Sequence, residues 1–159
     1  MRAYVALGSN LGDSRQHLID AIQALAALAH TEVLQRSRFY RTPPWGVLDQ
    51  PDFLNAVVAL ETVLQPHDLL DALLEIERAA GRQRSGERWG PRTLDLDLLH
   101  VVGTHMHSER LTLPHPHIAA RAFVLLPLHD VAPELEIPGQ GKVVDLLRAV
   151  DTHGCTPLA

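Results

Sequence analysis

Two carboxylates two residues apart are the first chemistry this chain offers. Asp95 and Asp97 stand in the run TLDLDLLHVV, residues 93–102. If that run is a strand, successive side chains leave on opposite faces. Leu94, Leu96 and Leu98 then enter a core, and Thr93, Asp95 and Asp97 share the other face, the carboxylates about 7 Å apart. Like charges placed so close repel unless a cation lies with them. Their oxygens suit Mg²⁺, which takes one or two carboxylates and completes its shell with substrate phosphates. The apolar residues after Asp97 argue for a strand inside the sheet rather than at a polar edge.

Directly upstream, residues 81–92 carry Arg82, Arg84, Arg88 and Arg92 among Gly81, Gly86, Gly90 and Pro91. Guanidinium forks match phosphate oxygens, and a glycine-punctuated loop can open and close. Arginine lid and carboxylate floor make sense together if a metal-held polyphosphate bridges them. Trp89, inside the loop, suits either a planar ligand or an anchor to the core.

The elements that must position these groups follow from periodicity and punctuation. Residues 2–7 read as a strand, and Asp13 or Ser14 can cap a helix carrying Leu18, Ile22, Leu25 and Ala29 at helical spacing. Residues 32–40 read as a second strand, stopped by Pro43 and Pro44. Residues 52–62 form a third strand. Pro66 opens a helix with Leu69, Leu73, Ile76 and Ala80 on one side, and Gly81 is placed to end it. The carboxylate strand is next. Beyond it, 110–114 reads as a short strand, and 121–131 and 143–150 as helices. The order β-α-β-β-α-β is the split βαβ, ferredoxin-like α+β arrangement, with the two main helices on one face of the sheet. We read residues 1–159 as a single domain.

A chain of 159 residues, 46% hydrophobic and 21% charged, suits one soluble domain with its own core. It contains no apolar run long enough to cross a membrane, so no membrane role is expected. A net charge of −5 argues against nucleic acid as a partner. The basic residues are 13 arginines and Lys142 alone, a bias toward phosphate-gripping side chains. Cys155, the lone cysteine, leaves no intrachain disulfide, and a cytoplasmic location is expected. A P-loop and the protein-kinase motifs are both missing.

Ten histidines include the pairs 105/107 and 115/117, but neither has the cysteine or H-E-x-x-H context of a zinc site. Tyr40, Trp45, Phe53, Trp89 and Phe123 fall at strand ends, loops or helix starts, where they can line a pocket for a flat heterocycle. Asn55 shares a strand face with Phe53, and an amide pairs well with the donor–acceptor edge of such a ring.

The motifs RWGPRTLDLD, YRTPPWG, QPDFLNAV, GSNLGD and LTLPHPHIAARAFVLLPL together resemble the 6-hydroxymethyl-7,8-dihydropterin pyrophosphokinase family of folate biosynthesis, over about residues 3–137. The resemblance implies a ferredoxin-like fold. It also implies transfer of pyrophosphate from ATP to the pterin hydroxymethyl with two Mg²⁺ ions, leaving AMP. On that resemblance Asp95 and Asp97 hold the metals, and Arg82 and Arg92 join them as catalytic residues on the phosphates. Thr42, Pro43, Trp45, Phe53, Asn55, Trp89 and Phe123 shape the pterin site. Glu77, Arg82, Arg84, Trp89, Arg92, Leu98, Arg110, Leu111, Thr112, His115 and Arg121 form the ATP side. ATP and the pterin are then the only partners expected, with a monomeric protein.

Four positions depart from the family pattern. Phe53 stands where some members have tyrosine, Ser85 where some have lysine, Pro116 where some have an aromatic, and Trp45 where some have leucine. These changes are expected to alter affinity and loop kinetics. Two other readings share the same features: a Mg²⁺-dependent phosphohydrolase, and a small-ligand sensor. A sensor has no need of paired carboxylates under an arginine lid.

Overall fold

The computed structural model describes residues 1–44, 49–81 and 93–158. β1 (Arg2–Ser9) leads through a turn at Gly12, φ +74°, into α1 (Ser14–Ala26). Asp13 caps that helix, accepting the Gln16 N–H at 3.2 Å. Ala29 lies beyond its end. β4 (Phe53–Thr62) and α2 (Pro66–Ala79) follow the proline stop, with Pro66 at the helix start. Gly81 adopts φ +90° immediately after the helix, the left-handed position that glycine fills without steric cost.

The segment expected as one strand over 32–40 is two: β2 (Thr31–Arg36) and β3 (Tyr40–Thr42). Between them Ser37 takes over the ladder. Its N–H donates to Val57 O, and its Oγ accepts the Val57 N–H, both at 2.9 Å. A side chain thus replaces a carbonyl, and the chain kinks without orphaning β4's backbone.

β5 (Asp95–Val101) completes the main sheet. Its order is β10–β3–β4–β1–β5, with β2 also paired to β4; β10 is Thr156–Pro157 near the C-terminus. The pairings are antiparallel. β5 is therefore an edge strand, contrary to the expectation of an interior one. Its apolar character has another cause: Leu96 and Leu98 lie under the α1–α2 face, and Leu99 is covered on the other.

α1 and α2 lie on one face over a core of Leu7, Leu18, Leu25, Leu60, Leu69, Leu73, Leu96 and Leu98. Each buried leucine contributes about 1.5–3 kcal/mol. α3 (Ala122–Val131) and the short α4 (Val143–Ala149) pack on the opposite face, around Tyr4, Val57, Ala59 and Leu99. The main helices thus share a face as the split βαβ order requires, and the second face is partly closed by the C-terminal helices. Small hairpins, β6 (Met106–His107) with β7 (Thr112–Leu113) and β8 (Glu136–Ile137) with β9 (Gly141–Lys142), complete the chain. Sequence periodicity did not reveal β6, β8, β9 or β10, each only two residues long.

Candidate functional site

The cross-strand register builds the site. Asp95 pairs with Gly8, Gly8 with Asn55, and Asn55 with Tyr40. Directly opposed residues share a face, so Asp95, Gly8 and Asn55 form one row across β5, β1 and β4. Two strand spacings separate Asp95 from Asn55, roughly 10 Å. The neighbouring row is Asp97, Ala6 and Val57, and on the other side Phe53 pairs with Thr42. The apolar cluster beneath α3 ends at Val57 and Ala6. One row further, the face turns from hydrocarbon to amide, glycine and carboxylate.

Asn55 is buried, and its Nδ2 donates to Thr42 Oγ1 at 2.7 Å. Thr42 is 1% exposed, so this bond fixes the amide's orientation. The Asn55 Oδ1 lies 2.8 Å from the position a Cβ on Gly8 would take. Phe53 is on the same strand face, as its spacing predicts. Asn10 tethers the turn after β1 to the residues before β4: its Nδ2 donates to Gln50 Oε1 at 2.8 Å and to Pro51 O at 3.0 Å.

Asp95 and Asp97 are both half-buried and face away from the α1–α2 core, as the alternation predicts. No group of three or more acidic, histidine or cysteine side chains gathers with them among the described residues. A pair of hard oxygen donors fits Mg²⁺, and without a third acidic, histidine or cysteine ligand among the described residues it does not fit a four-ligand structural zinc site.

The outer edge of β5 is capped rather than bare. Glu77, 2% exposed on α2, accepts the Leu96 N–H through Oε2 at 2.7 Å. His115 N–H donates to Leu99 O at 2.7 Å. Gln140, in the β8–β9 turn, secures this segment by donating to His115 O at 2.9 Å and accepting the Ala119 N–H at 3.2 Å. The Leu98 side chain, 3% exposed, lies in the core beneath the helices. Leu111 is likewise a core residue. Thr112 Oγ1 pairs with His107 Nδ1 at 2.9 Å, and Arg110 is ion-paired to Asp71.

Burial, reinforced by the electrostatic influence of the Arg121 guanidinium and of the neighbouring His117, pushes the His115 imidazole down to about 4. Its Nδ1 accepts the His117 N–H at 3.1 Å. The neutral ring therefore carries its proton on Nε2 and can donate from there. Arg121 sits where the chain enters α3, with its guanidinium 5.7 Å above the Phe123 ring.

Tyr40 is not a pocket wall. It is 2% exposed, and its hydroxyl donates to the Asp130 carboxylate at 2.9 Å. Arg38 grips the same carboxylate with Nη2 and Nε at 3.1 and 3.2 Å. Burial, then the Asp130 carboxylate, push the Tyr40 phenol up to about 12. This network ties α3 to the kink between β2 and β3. Pro43 is exposed at the end of β3. Trp45, Arg82, Arg84, Ser85, Arg88, Trp89 and Arg92 lie outside the described residues.

Gly8 and Gln140 were not read as site residues from the sequence. Gly8 acts through the space it leaves, and Gln140 reaches His115 across 25 positions, so neither has a local signature.

The sequence profile of the 7,8-dihydro-6-hydroxymethylpterin-pyrophosphokinase (HPPK) family matches residues 4–133. Two 2-amino-4-hydroxy-6-hydroxymethyldihydropteridine pyrophosphokinases are close relatives. The one from Methylorubrum extorquens is 50% identical over 153 residues, covering 96% of each chain. The one from Pseudomonas aeruginosa is 48% identical, covering 96% of this chain and 94% of that one. Among solved structures, wild-type Plasmodium falciparum HPPK-DHPS with pteroate superposes with a TM-score of 0.70 at 14% identity. That likeness covers 93% of this chain but only 42% of the solved one, and it speaks for the fold alone. The chain belongs to the 7,8-dihydro-6-hydroxymethylpterin-pyrophosphokinase family.

Proposed function

We propose that the row Asn55–Gly8–Asp95 divides the work of a pyrophosphokinase between its two substrates. As a member of this family the protein transfers pyrophosphate from ATP to 6-hydroxymethyl-7,8-dihydropterin in folate biosynthesis. Thr42, Pro43, Phe53, Asn55 and Phe123 receive the pterin, with Trp45 and Trp89 completing the site. The outer edge of β5 receives ATP through Glu77, the Leu98 main chain, Arg110, Leu111, Thr112, His115 and Arg121, with Arg84 and Trp89 from the preceding segment. The observation that carries this reading is the shared face. It sets the Asn55 amide and the carboxylates roughly 10 Å apart on β4 and β5, with β1 between them, near enough for one bicyclic substrate to span.

Asp95 and Asp97 hold the divalent cations. When bound there, two Mg²⁺ ions would neutralise charge on the polyphosphate and orient its oxygens. The Asn55 amide, locked by Thr42, fixes the pterin ring so that its hydroxymethyl points along the row toward Asp95. The hydroxyl oxygen attacks Pβ in line and gives its proton up to solvent, the bond from Pβ to the α,β-bridging oxygen breaks, and AMP departs. Arg82 and Arg92 place cations on the phosphates as charge shifts to the leaving oxygen. Positioning and electrostatics supply most of the acceleration. His115, neutral near pH 7, donates a hydrogen bond from Nε2 to the nucleotide without adding charge.

The same proposal takes residues 1–159 as one domain acting as a cytoplasmic monomer. No described helix is long and apolar enough to cross a membrane. The test is AMP release, measured with ATP alone and then with ATP and the hydroxymethyl pterin. AMP formation only with both substrates supports the reading. Phosphate release from ATP without pterin would identify a hydrolase instead.

A further inference from the structure

Thr42 sits on a short strand that depends on both of its neighbours in the sheet. β3 is three residues long, isolated from β2 by the kink at Ser37. On one side it has three register pairs with β4. Its exit is Pro43 and Pro44, which have no N–H to donate. Its other side is closed by β10, where Thr156 pairs with Arg41 and Pro157 with Tyr40. The Leu158 N–H donates to Phe39 O at 2.8 Å, and the Leu158 side chain packs on the α1–α2 core.

The approach to β10 is built for this docking. The His153 N–H is accepted by Asp151 Oδ1 at 2.9 Å, and the Cys155 N–H by Thr152 O at 3.1 Å. Gly154 then takes φ +83°. Continuing the β3–β10 register sets Cys155 beside Thr42 and Gly154 beside Pro43. At Gly154, a Cβ would meet Pro43 Cγ at 3.4 Å and Cδ at 3.5 Å. The tail therefore touches the residue next to Thr42, whose hydroxyl orients Asn55.

We propose that residues 151–158 are a positioning element of the pterin-side pocket, holding β3 so that Thr42 and Pro43 stand where the Asn55 amide needs them. The proposal rests on the reading that this pocket takes the pterin. It extends the site to a segment that makes no contact with Asp95 or Asp97 through the strand ladder and lies on the opposite edge of the sheet from β5. Loosening the tail should therefore impair the pterin and spare ATP.

The experiment compares full-length Gly154→Val, Gly154→Asn and Asn55→Ala, measuring the pterin KM, ATP affinity by direct titration, kcat and the melting temperature. A β-branched residue is strained at positive φ, whereas asparagine tolerates it. Gly154→Val is expected to raise the pterin KM about tenfold, with ATP affinity within about twofold and Gly154→Asn near the parent. Asn55→Ala tests the pocket reading separately and should raise the same KM. If Asn55→Ala raises it while Gly154→Val leaves it unchanged, the tail has no positioning role. An unchanged KM in Asn55→Ala would instead overturn the pocket reading on which the proposal stands. Equal losses of pterin and ATP binding in Gly154→Val, with a lowered melting temperature, would make the tail a general staple of the fold and also overturn the proposal.

Discussion

The Oδ1 atom of Asn55 lies 2.8 Å from the point where a Cβ on Gly8 would sit. No real side chain occupies that distance, and Asn55 cannot swing aside without leaving Thr42. Gly8 thus shapes the proposed pterin pocket through its absent side chain. Gly8→Ala should break the Asn55–Thr42 hydrogen bond and raise the pterin KM roughly tenfold or more, at about 1–3 kcal/mol for the displaced buried amide. ATP affinity should hold. Substrate kinetics beside a crystal structure of the variant checks both halves; an undisplaced Asn55 with a normal KM would refute the argument.

Asp95→Asn and Asp97→Asn should each lower turnover by about 10³-fold or more, since each removes a carboxylate from the proposed cation site. The fold should survive, because mutual repulsion of the two charges is relieved. Turnover across a Mg²⁺ titration, with thermal unfolding in chelator, measures the two effects. Near-parent turnover at low Mg²⁺ in either variant would remove that residue from the site.

Glu77 closes the open edge of β5 at Leu96. Glu77→Ala leaves a strand N–H without its acceptor, so a loss of about 1–3 kcal/mol is expected. Glu77→Gln keeps an acceptor oxygen and should lose less. Denaturant melts of the two variants decide it, the ordering Gln above Ala being the diagnostic outcome.

His115 makes a signed pH prediction. Its folded value, about 4, is below the usual 6.5, so between those values the unfolded chain binds more protons. Stability from this group is fully present above about pH 6.5 and is lost as the pH falls toward 4. His115→Gln should flatten stability over that window by about 1–2 kcal/mol, discounted because the ring is partly solvated. Unfolding free energies at pH 7 and pH 4.5 for parent and variant give the comparison.

What could be read from the sequence was local. The face shared by Asp95 and Asp97 follows from strand alternation, and the start of α1 and both ends of α2 follow from Asp13, Pro66 and Gly81. The break at Ser37 was hidden because it depends on a hydroxyl standing in for a carbonyl opposite Val57. Tyr40 looked like a pocket aromatic because its partner, Asp130, is 90 positions away. β5 looked interior because an edge strand reads as apolar where Leu96 and Leu98 lie under helices on one face and Leu99 is covered on the other. Its unpaired side is closed by Glu77 and His115, which no strand pattern announces.

The carboxylate strand holds one residue more than its partner. Tyr4 pairs with His100 and Val5 with Leu98, so Leu99 has no opposite number. Residues 95–98 and 100–101 consequently keep separate registers. A strand without this joint would pass any one-residue slip at the Gly103 turn straight along its length, turning both aspartates under the helices. Leu99 works as an expansion joint: length changes arriving from the turn can be absorbed there, and the acidic face stays where it is.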